Sequence, residues 1–250
     1  MTRWAYLDHE GPIPFAHRGG ASDCPENTMR AFENAVELGY RYVETDVHTT
    51  SDGVLVAFHD DHLDRVTDKR GKICDLDWSV VGKARVAGEG IPLLEDILTA
   101  WPDVMVNIDP KHDESVAPLV EVLDRCKAHD RVCVAAFSDR RLARFRALTG
   151  GRVCTAIGPR DIARLRAGSF GIPCGSFAAA CTQVPIRHGR WLVTDPRYVA
   201  AAHKAGLPVH VWTIDDPAEM ERLLDMGVDG IMTDRPAVLK DVLGRRGLWN

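Results

Sequence analysis

Short apolar runs that end in polar residues alternate along this chain with stretches in which apolar positions recur at helical spacing. Ile13-Pro14-Phe15-Ala16-His17 reads as a first strand. Thr28 to Leu38 then sets Phe32, Ala35, Val36 and Leu38 on one helical face and stops at Gly39, and Tyr42 to Val47 reads as a second strand. The same helix–glycine–strand junction returns at Gly206, before Leu207 to Trp212, and at Gly227, before Val228 to Met232. Strand and helix alternating in this way predict βα units and a parallel sheet.

Nine strands are predicted, near residues 13–17, 41–47, 55–59, 104–109, 131–136, 152–156, 180–184, 208–213 and 229–233. A closed (β/α)8 barrel needs eight. The surplus strand is the third, because the chain between Val47 and Leu55 is too short for a right-handed crossover helix. Asp52-Gly53 is instead a two-residue hairpin signal, since Gly accepts the positive φ of a type I′ turn. Such a turn sets Ser51 against Val54 and Asp46 against His59. The expected fold is an α/β TIM-type barrel with a hairpin after its second strand, as a single domain over residues 1–250. Residues from about 60 to 92 are rich in charge and turn formers, with Trp78-Ser79-Val80-Val81 their main apolar run. They are expected as a small insertion over the barrel mouth, with a flexible surface loop of no role as the alternative.

Composition narrows the function classes. A length of 250 residues suits one α/β barrel, and a net charge of −5 with interspersed signs lacks the basic face that nucleic-acid binding calls for. No stretch approaches the ~18 apolar residues of a membrane span, so stable membrane insertion is not expected. Met1 to Tyr6 shows no leader pattern. The seven cysteines are odd in number, scattered and without a Cys-x-x-Cys pair. They are expected as small buried apolar side chains of a reducing, cytoplasmic protein.

Candidate chemistry gathers at predicted strand ends. Glu44 and Asp46 alternate onto one strand face, where burial costs heavily unless a cation lies between them. Asp109 ends the next barrel strand and offers a third oxygen. Three carboxylates and few soft ligands favour Mg²⁺ or Ca²⁺; the plainer reading is that Glu44 and Asp46 are solvated or salt-bridged to cations. Histidine is the side chain that ordinarily exchanges a proton near neutral pH, so His17 and His59 suit proton transfer to and from a phosphodiester's oxygens. Arg18 and Lys111 suit its anionic oxygens, or else serve as surface cations or partners of buried carboxylates. Trp212 is either an apolar wall for a substrate's alcohol portion or core packing. Glu26 either reaches the site or caps the following helix. His9, His48, His62, His112, His129, His188 and His203 are read mainly as solvated, and His210 as packed within the seventh strand.

The set His17-Arg18-Gly19, Pro25-Glu26-Asn27-Thr28, Glu44-Thr45-Asp46, Asp52-Gly53, His59-Asp60, Asn107-Ile108-Asp109-Pro110-Lys111, Trp212-Thr213-Ile214 and Gly230-Ile231-Met232-Thr233-Asp234 resembles the glycerophosphodiester phosphodiesterase family. The resemblance implies a TIM-type barrel that hydrolyses glycerophosphodiesters to sn-glycerol 3-phosphate and an alcohol with a divalent cation. It implies His17 and His59 as the acid/base pair and Glu44, Asp46 and Asp109 as metal ligands. Arg18 and Lys111 would hold the phosphate, and Trp212 would line the pocket. The chain departs from the pattern at Asp109, where the family usually carries Glu. That substitution also resembles the phospholipase D toxins of the same superfamily. Lysophospholipase D action on monoacyl phospholipids and a non-catalytic phosphate-binding barrel are the alternative readings.

Overall fold

Eight parallel strands carry the architecture: β1 (Ile13–Ala16), β2 (Tyr42–Thr49), β3 (Met105–Pro110), β4 (Val132–Val134), β5 (Cys154–Thr155), β6 (Thr182–Pro185), β7 (Val209–Trp212) and β8 (Gly230–Thr233). The structure, a computed structural model, describes residues 4–249. Met1, Thr2 and Arg3, which begin the segment read for a leader, and Asn250 lie outside the described residues. The sheet runs β5-β4-β3-β2-β1-β8-β7-β6 in space. Its two ends meet through a parallel bridge between Ala156 and Cys181, so the sheet curls as a TIM-type barrel does. The helices are α1 (Met29–Glu37), α2 (Leu94–Ala100), α3 (Val116–Arg125), α4 (Asp139–Leu148), α5 (Pro159–Gly168), α6 (Pro196–Lys204), α7 (Pro217–Met226) and α8 (Pro236–Arg245).

Alternation along each strand sorts the core into two layers. Val132 and Val134 of β4 pack with helix residues such as Leu119, Leu123 and Phe145. Cys133 between them joins Phe15, Tyr42 and Cys154 in a cluster that takes nothing from the eight helices and fills the barrel interior. Cys133, Cys154 and Cys181 are buried as expected, whereas Cys74 is exposed and Cys24, Cys126 and Cys174 are only partly covered. No helix among the described residues is long and apolar enough to cross a membrane.

All nine expected strands are present, and the third is the antiparallel return of β2, Leu55–Ala57. Its register differs by one residue from the expectation. Val47 faces Ala57 and Thr49 faces Leu55, and Phe58, not His59, bonds back to the Asp46 carbonyl. The physical reason lies in the turn. Thr50 N–H bonds to the Val54 carbonyl, enclosing Ser51, Asp52 and Gly53 in a three-residue loop with Gly53 at φ +87°. Glycine thus supplies the left-handed last residue of a longer loop instead of half of a two-residue turn. Two small antiparallel ribbons, Arg85–Val86 with Glu89–Gly90 and Arg187–His188 with Trp191–Leu192, were not expected.

Residues 60–92 fold into 3-10 turns at Leu63–Arg65 and Ile73–Asp75, a one-turn helix at Trp78–Val81 and the first of those ribbons. They enclose an apolar cluster of their own, in which Leu63, Ile73, Val81 and Val86 pack on Val56 and Phe58 of the hairpin.

Candidate active site

The carboxyl ends of the strands bring the candidate residues to one place. Beyond β1 the chain enters a tight turn, His17–Gly19, with Arg18 in the left-handed region at φ +52°. That turn sits hard against α1: a Cβ on Gly19 would lie 2.8 Å from that of Ala31. The conformation aims the Arg18 backbone N–H at Glu44, donating to Oε2 at 3.1 Å. It also places His17 Nε2 3.7 Å from the same oxygen.

Glu44 and Asp46 point to one face of β2, as alternation requires, and Asp46 lies in register with Asp109 on β3. All three carboxylates are buried, and Lys111 lies between two of them: its Nζ is 2.5 Å from Asp46 Oδ1 and 2.8 Å from Asp109 Oδ2. Lys111 is therefore the partner of buried carboxylates, one of the roles open to it in the sequence. Asn27 donates to Asp46 Oδ2 at 3.4 Å and accepts from Thr45 Oγ1 at 2.8 Å. Asp109 Oδ1 is buried without a hydrogen-bond partner.

These contacts divide the carboxylates electrostatically. Burial, with Asp46 adding, pushes Glu44 up to about 7, against the pull of His17 and Lys111. Burial likewise opposes charge on Asp46, but Lys111, His59 and Arg18 outweigh it and hold that carboxyl below its ordinary range. Asp109 is raised, chiefly by burial, with Lys111 opposing. Burial alone would lower His17; Glu44 and Asp234 more than offset it and raise the imidazole above its ordinary value.

The two histidines share one design. His17 Nδ1 is 2.6 Å from Asp234 Oδ1, beyond β8, and His59 Nδ1 is 2.6 Å from Asp60 Oδ1. A carboxylate on Nδ1 fixes the proton there and leaves Nε2 as the nitrogen able to exchange one. Asp60 is tied to Arg65, which also grips Glu26 at 2.6 and 3.0 Å, and Glu26 accepts from Arg18 at 3.1 Å. Glu26 thus joins the first βα loop to the insertion.

All eight residues singled out from the sequence line one cavity of about 700 Å³: His17, Arg18, Glu44, Asp46, His59, Asp109, Lys111 and Trp212. His59 arrives despite the one-residue difference in register, because the return strand ends at Ala57 and pleat alternation no longer sets its direction. The cavity is also lined by the apolar side chains of Phe137, Ile162, Phe170, Trp191 and Leu192. Trp212 meets Phe137 edge-on at 5.6 Å. Sequence reasoning missed Asp234, Asp60 and Arg65 as partners, although the first two stand inside motifs it quoted. His48, read with the solvated histidines, is 2 % exposed and bonds the His59 carbonyl oxygen at 3.1 Å. His210 is packed as expected, 5.0 Å from the Phe15 ring.

Comparison with known proteins gives a consistent match. The model of the glycerophosphoryl diester phosphodiesterase family matches residues 17–238. A probable glycerophosphodiester phosphodiesterase of Mycobacterium tuberculosis is 46% identical over 98% of this chain and 96% of its own length. A human lysophospholipase D is 29% identical, covering 91% of this chain and 85% of its own. Among solved structures, a phosphodiesterase of Oleispira antarctica in complex with the product sn-glycerol-3-phosphate superposes with a TM-score of 0.81 at 25% identity, covering 97% of this chain and 100% of that one.

Proposed function

The chain belongs to the glycerophosphoryl diester phosphodiesterase family and is a phosphodiesterase; from that premise we propose that its cavity hydrolyses glycerophosphodiesters to sn-glycerol 3-phosphate and an alcohol, with His17 and His59 moving the protons. The observation that carries this reading is the matched pair of imidazoles, each held at Nδ1 by a carboxylate at 2.6 Å and both lining the cavity that contains Glu44, Asp46 and Asp109. One histidine takes the proton of the attacking oxygen; the other protonates the departing alkoxide. The product bound by the Oleispira relative supports the substrate class.

A divalent cation belongs to the same reading, held by Glu44, Asp46 and Asp109. The donor set fits: three buried carboxylates are hard oxygen ligands, and Asp109 Oδ1 has no hydrogen-bond partner. The three are not among the compact ligand triplets of the described residues, and Lys111 bridges two of them. Cation binding therefore requires Lys111 to turn from Asp46 and Asp109, which frees its ammonium for the phosphate. When bound, the cation supplies charge neutralisation at the phosphoryl oxygens. Arg18 adds a second cation for those oxygens. The insertion, tied through Arg65 to Glu26 and Asp60, covers the mouth in this reading and limits the entry of water.

A screen of glycerophosphocholine, glycerophosphoethanolamine and glycerophosphoinositol with Mg²⁺, Ca²⁺ or chelator tests the proposal. Release of glycerol 3-phosphate, abolished by chelator, is expected; turnover that ignores chelation would remove the cation, and no turnover with any metal would remove the hydrolysis.

The apolar wall favours a second reading. Phe170 and Trp191 are 60% and 80% exposed beside the cavity, which leaves room for an acyl chain and suits a lysophospholipase D, the activity named for the human relative. Competition between lysophosphatidylcholine and glycerophosphocholine separates the two.

A further inference from the structure

His48, Asp61 and His112 meet from three separate segments. His48 lies on β2, Asp61 follows the His59-Asp60 pair, and His112 adjoins Lys111. One nitrogen of each ring and one carboxylate oxygen lie within 4.8 Å of one another. The two rings are 5.2 Å apart at 54°, and His112 Nε2 is 3.0 Å from Asp61 Oδ1. None of the three takes part in the hydrolytic reading above.

The surroundings are those of a ligand set. His48 is buried and engages the His59 carbonyl oxygen through Nε2 at 3.1 Å. That bond requires a proton on Nε2, so Nδ1 carries the free lone pair; metal-binding histidines are oriented by such a carbonyl on their other nitrogen. His112 and Asp61 remain 33% and 48% exposed at their side chains, so an ion can reach them from solvent. The neighbouring cation, Lys111, is neutralised by Asp46 and Asp109.

We propose that His48, Asp61 and His112 bind a divalent transition-metal ion of the Zn²⁺ class, at a site separate from the Glu44, Asp46 and Asp109 oxygens. Imidazole prefers Zn²⁺ and its transition-metal neighbours, whereas an all-oxygen set prefers Mg²⁺ or Ca²⁺, so adjoining sites sort cations by softness. An ion at the histidine site replaces the His112–Asp61 bond and ties together the segments that follow His59 and Lys111. Its occupancy thereby fixes both sides of the cavity.

The test titrates zinc-free protein, in saturating Mg²⁺, with Zn²⁺ by calorimetry, and locates the ion by anomalous diffraction at the zinc edge. One Zn²⁺ per chain is expected, with its peak between the three side chains. His112→Ala and Asp61→Asn should each weaken it by about tenfold or more. Both residues are part-exposed, and Mg²⁺-supported hydrolysis by each variant in zinc-free buffer should stay within about twofold of the parent. Unchanged zinc affinity in both variants would overturn the site, as would a peak at Glu44, Asp46 and Asp109 or at Cys133, Cys154 and Cys181.

Discussion

His17 and Asp234 are 217 residues apart in sequence, and their side chains meet at 2.6 Å. The pairing of the first barrel strand with the last explains it. Ala16 at the end of β1 is in register with Thr233 at the end of β8, so the next residue of each strand emerges beside the other. Asp234→Asn keeps the shape but removes the charge that fixes the imidazole. Turnover is expected to fall by roughly 10²–10⁴-fold, as when the aspartate behind a catalytic histidine is amidated. The loss should appear in kcat with KM little changed, together with a shifted pH–rate profile; a merely structural role would leave that profile in place.

Removing a histidine tests the pair directly. His17→Ala and His59→Ala should each cost about 10²–10⁴-fold in turnover, the range of a single general acid or base. In the proposed mechanism both act in one proton-transfer sequence, so the double variant should fall well short of the product of the two. Initial rates on glycerophosphocholine, with cation affinity measured alongside, would check this. Either variant at parental turnover would remove that histidine from the mechanism.

Lys111→Met strips the cation from between Asp46 and Asp109. In metal-free protein Asp46 then keeps Arg18 and Asn27 while Asp109 loses its ammonium partner, at a cost of up to about 3–5 kcal/mol. Saturating Mg²⁺ should recover much of that loss, since it supplies the missing charge. Denaturant unfolding with Mg²⁺ and with chelator would compare the two.

Glu44 gives a pH signature whose sign follows from its pKa of about 7, raised by burial above the ordinary value of 4.5. Below the unfolded value both states hold the proton and the group is neutral in its effect. As pH rises through the window from 4.5 to 7 the unfolded chain releases it first, so metal-free protein loses stability there. A cation must displace the same proton. Its affinity should therefore climb by up to about tenfold per pH unit below neutrality and level off above. Calorimetric titration with Mg²⁺ across that range should show the slope in the parent and a flatter response in Glu44→Gln.

The apolar wall separates the two substrate readings. Phe170→Ala combined with Trp191→Ala should raise KM for lysophosphatidylcholine by about tenfold or more, since each ring offers a large apolar surface to an acyl chain. Glycerophosphocholine, which has no acyl chain, should be unaffected. Equal effects on both substrates would place the wall outside acyl recognition.

Much of this fold was legible because apolar runs of strand length, glycine stops and helical periodicity agree along the chain. The antiparallel return was legible too, since no crossover fits between Val47 and Leu55. Its register was not: Asp52-Gly53 serves a two-residue or a three-residue loop equally well, and the choice was made by the Thr50–Val54 bond. The cavity residues stood out because most stand near or just beyond a predicted strand end, and strand ends converge in a barrel. Their partners were hidden for the same reason. Asp234 meets His17 only through the pairing of β1 with β8, and Arg65 meets Glu26 only through the folding of residues 60–92. The Trp191–Leu192 ribbon carries no buried face, so no alternation announced it.

The apolar cluster that residues 60–92 form with Val56 and Phe58 of the hairpin stands apart from the clusters of the barrel. Segments that bury their own side chains open and close as units, at a free energy below that of the whole molecule. His17 stands on the barrel, while His59 and Asp60 stand where the insertion begins. The acid/base pair proposed above therefore spans two such units, and in that mechanism both must be closed for protons to move in sequence. In that mechanism, opening of the smaller unit alone would part His59 from His17 and stop turnover while the barrel stays folded.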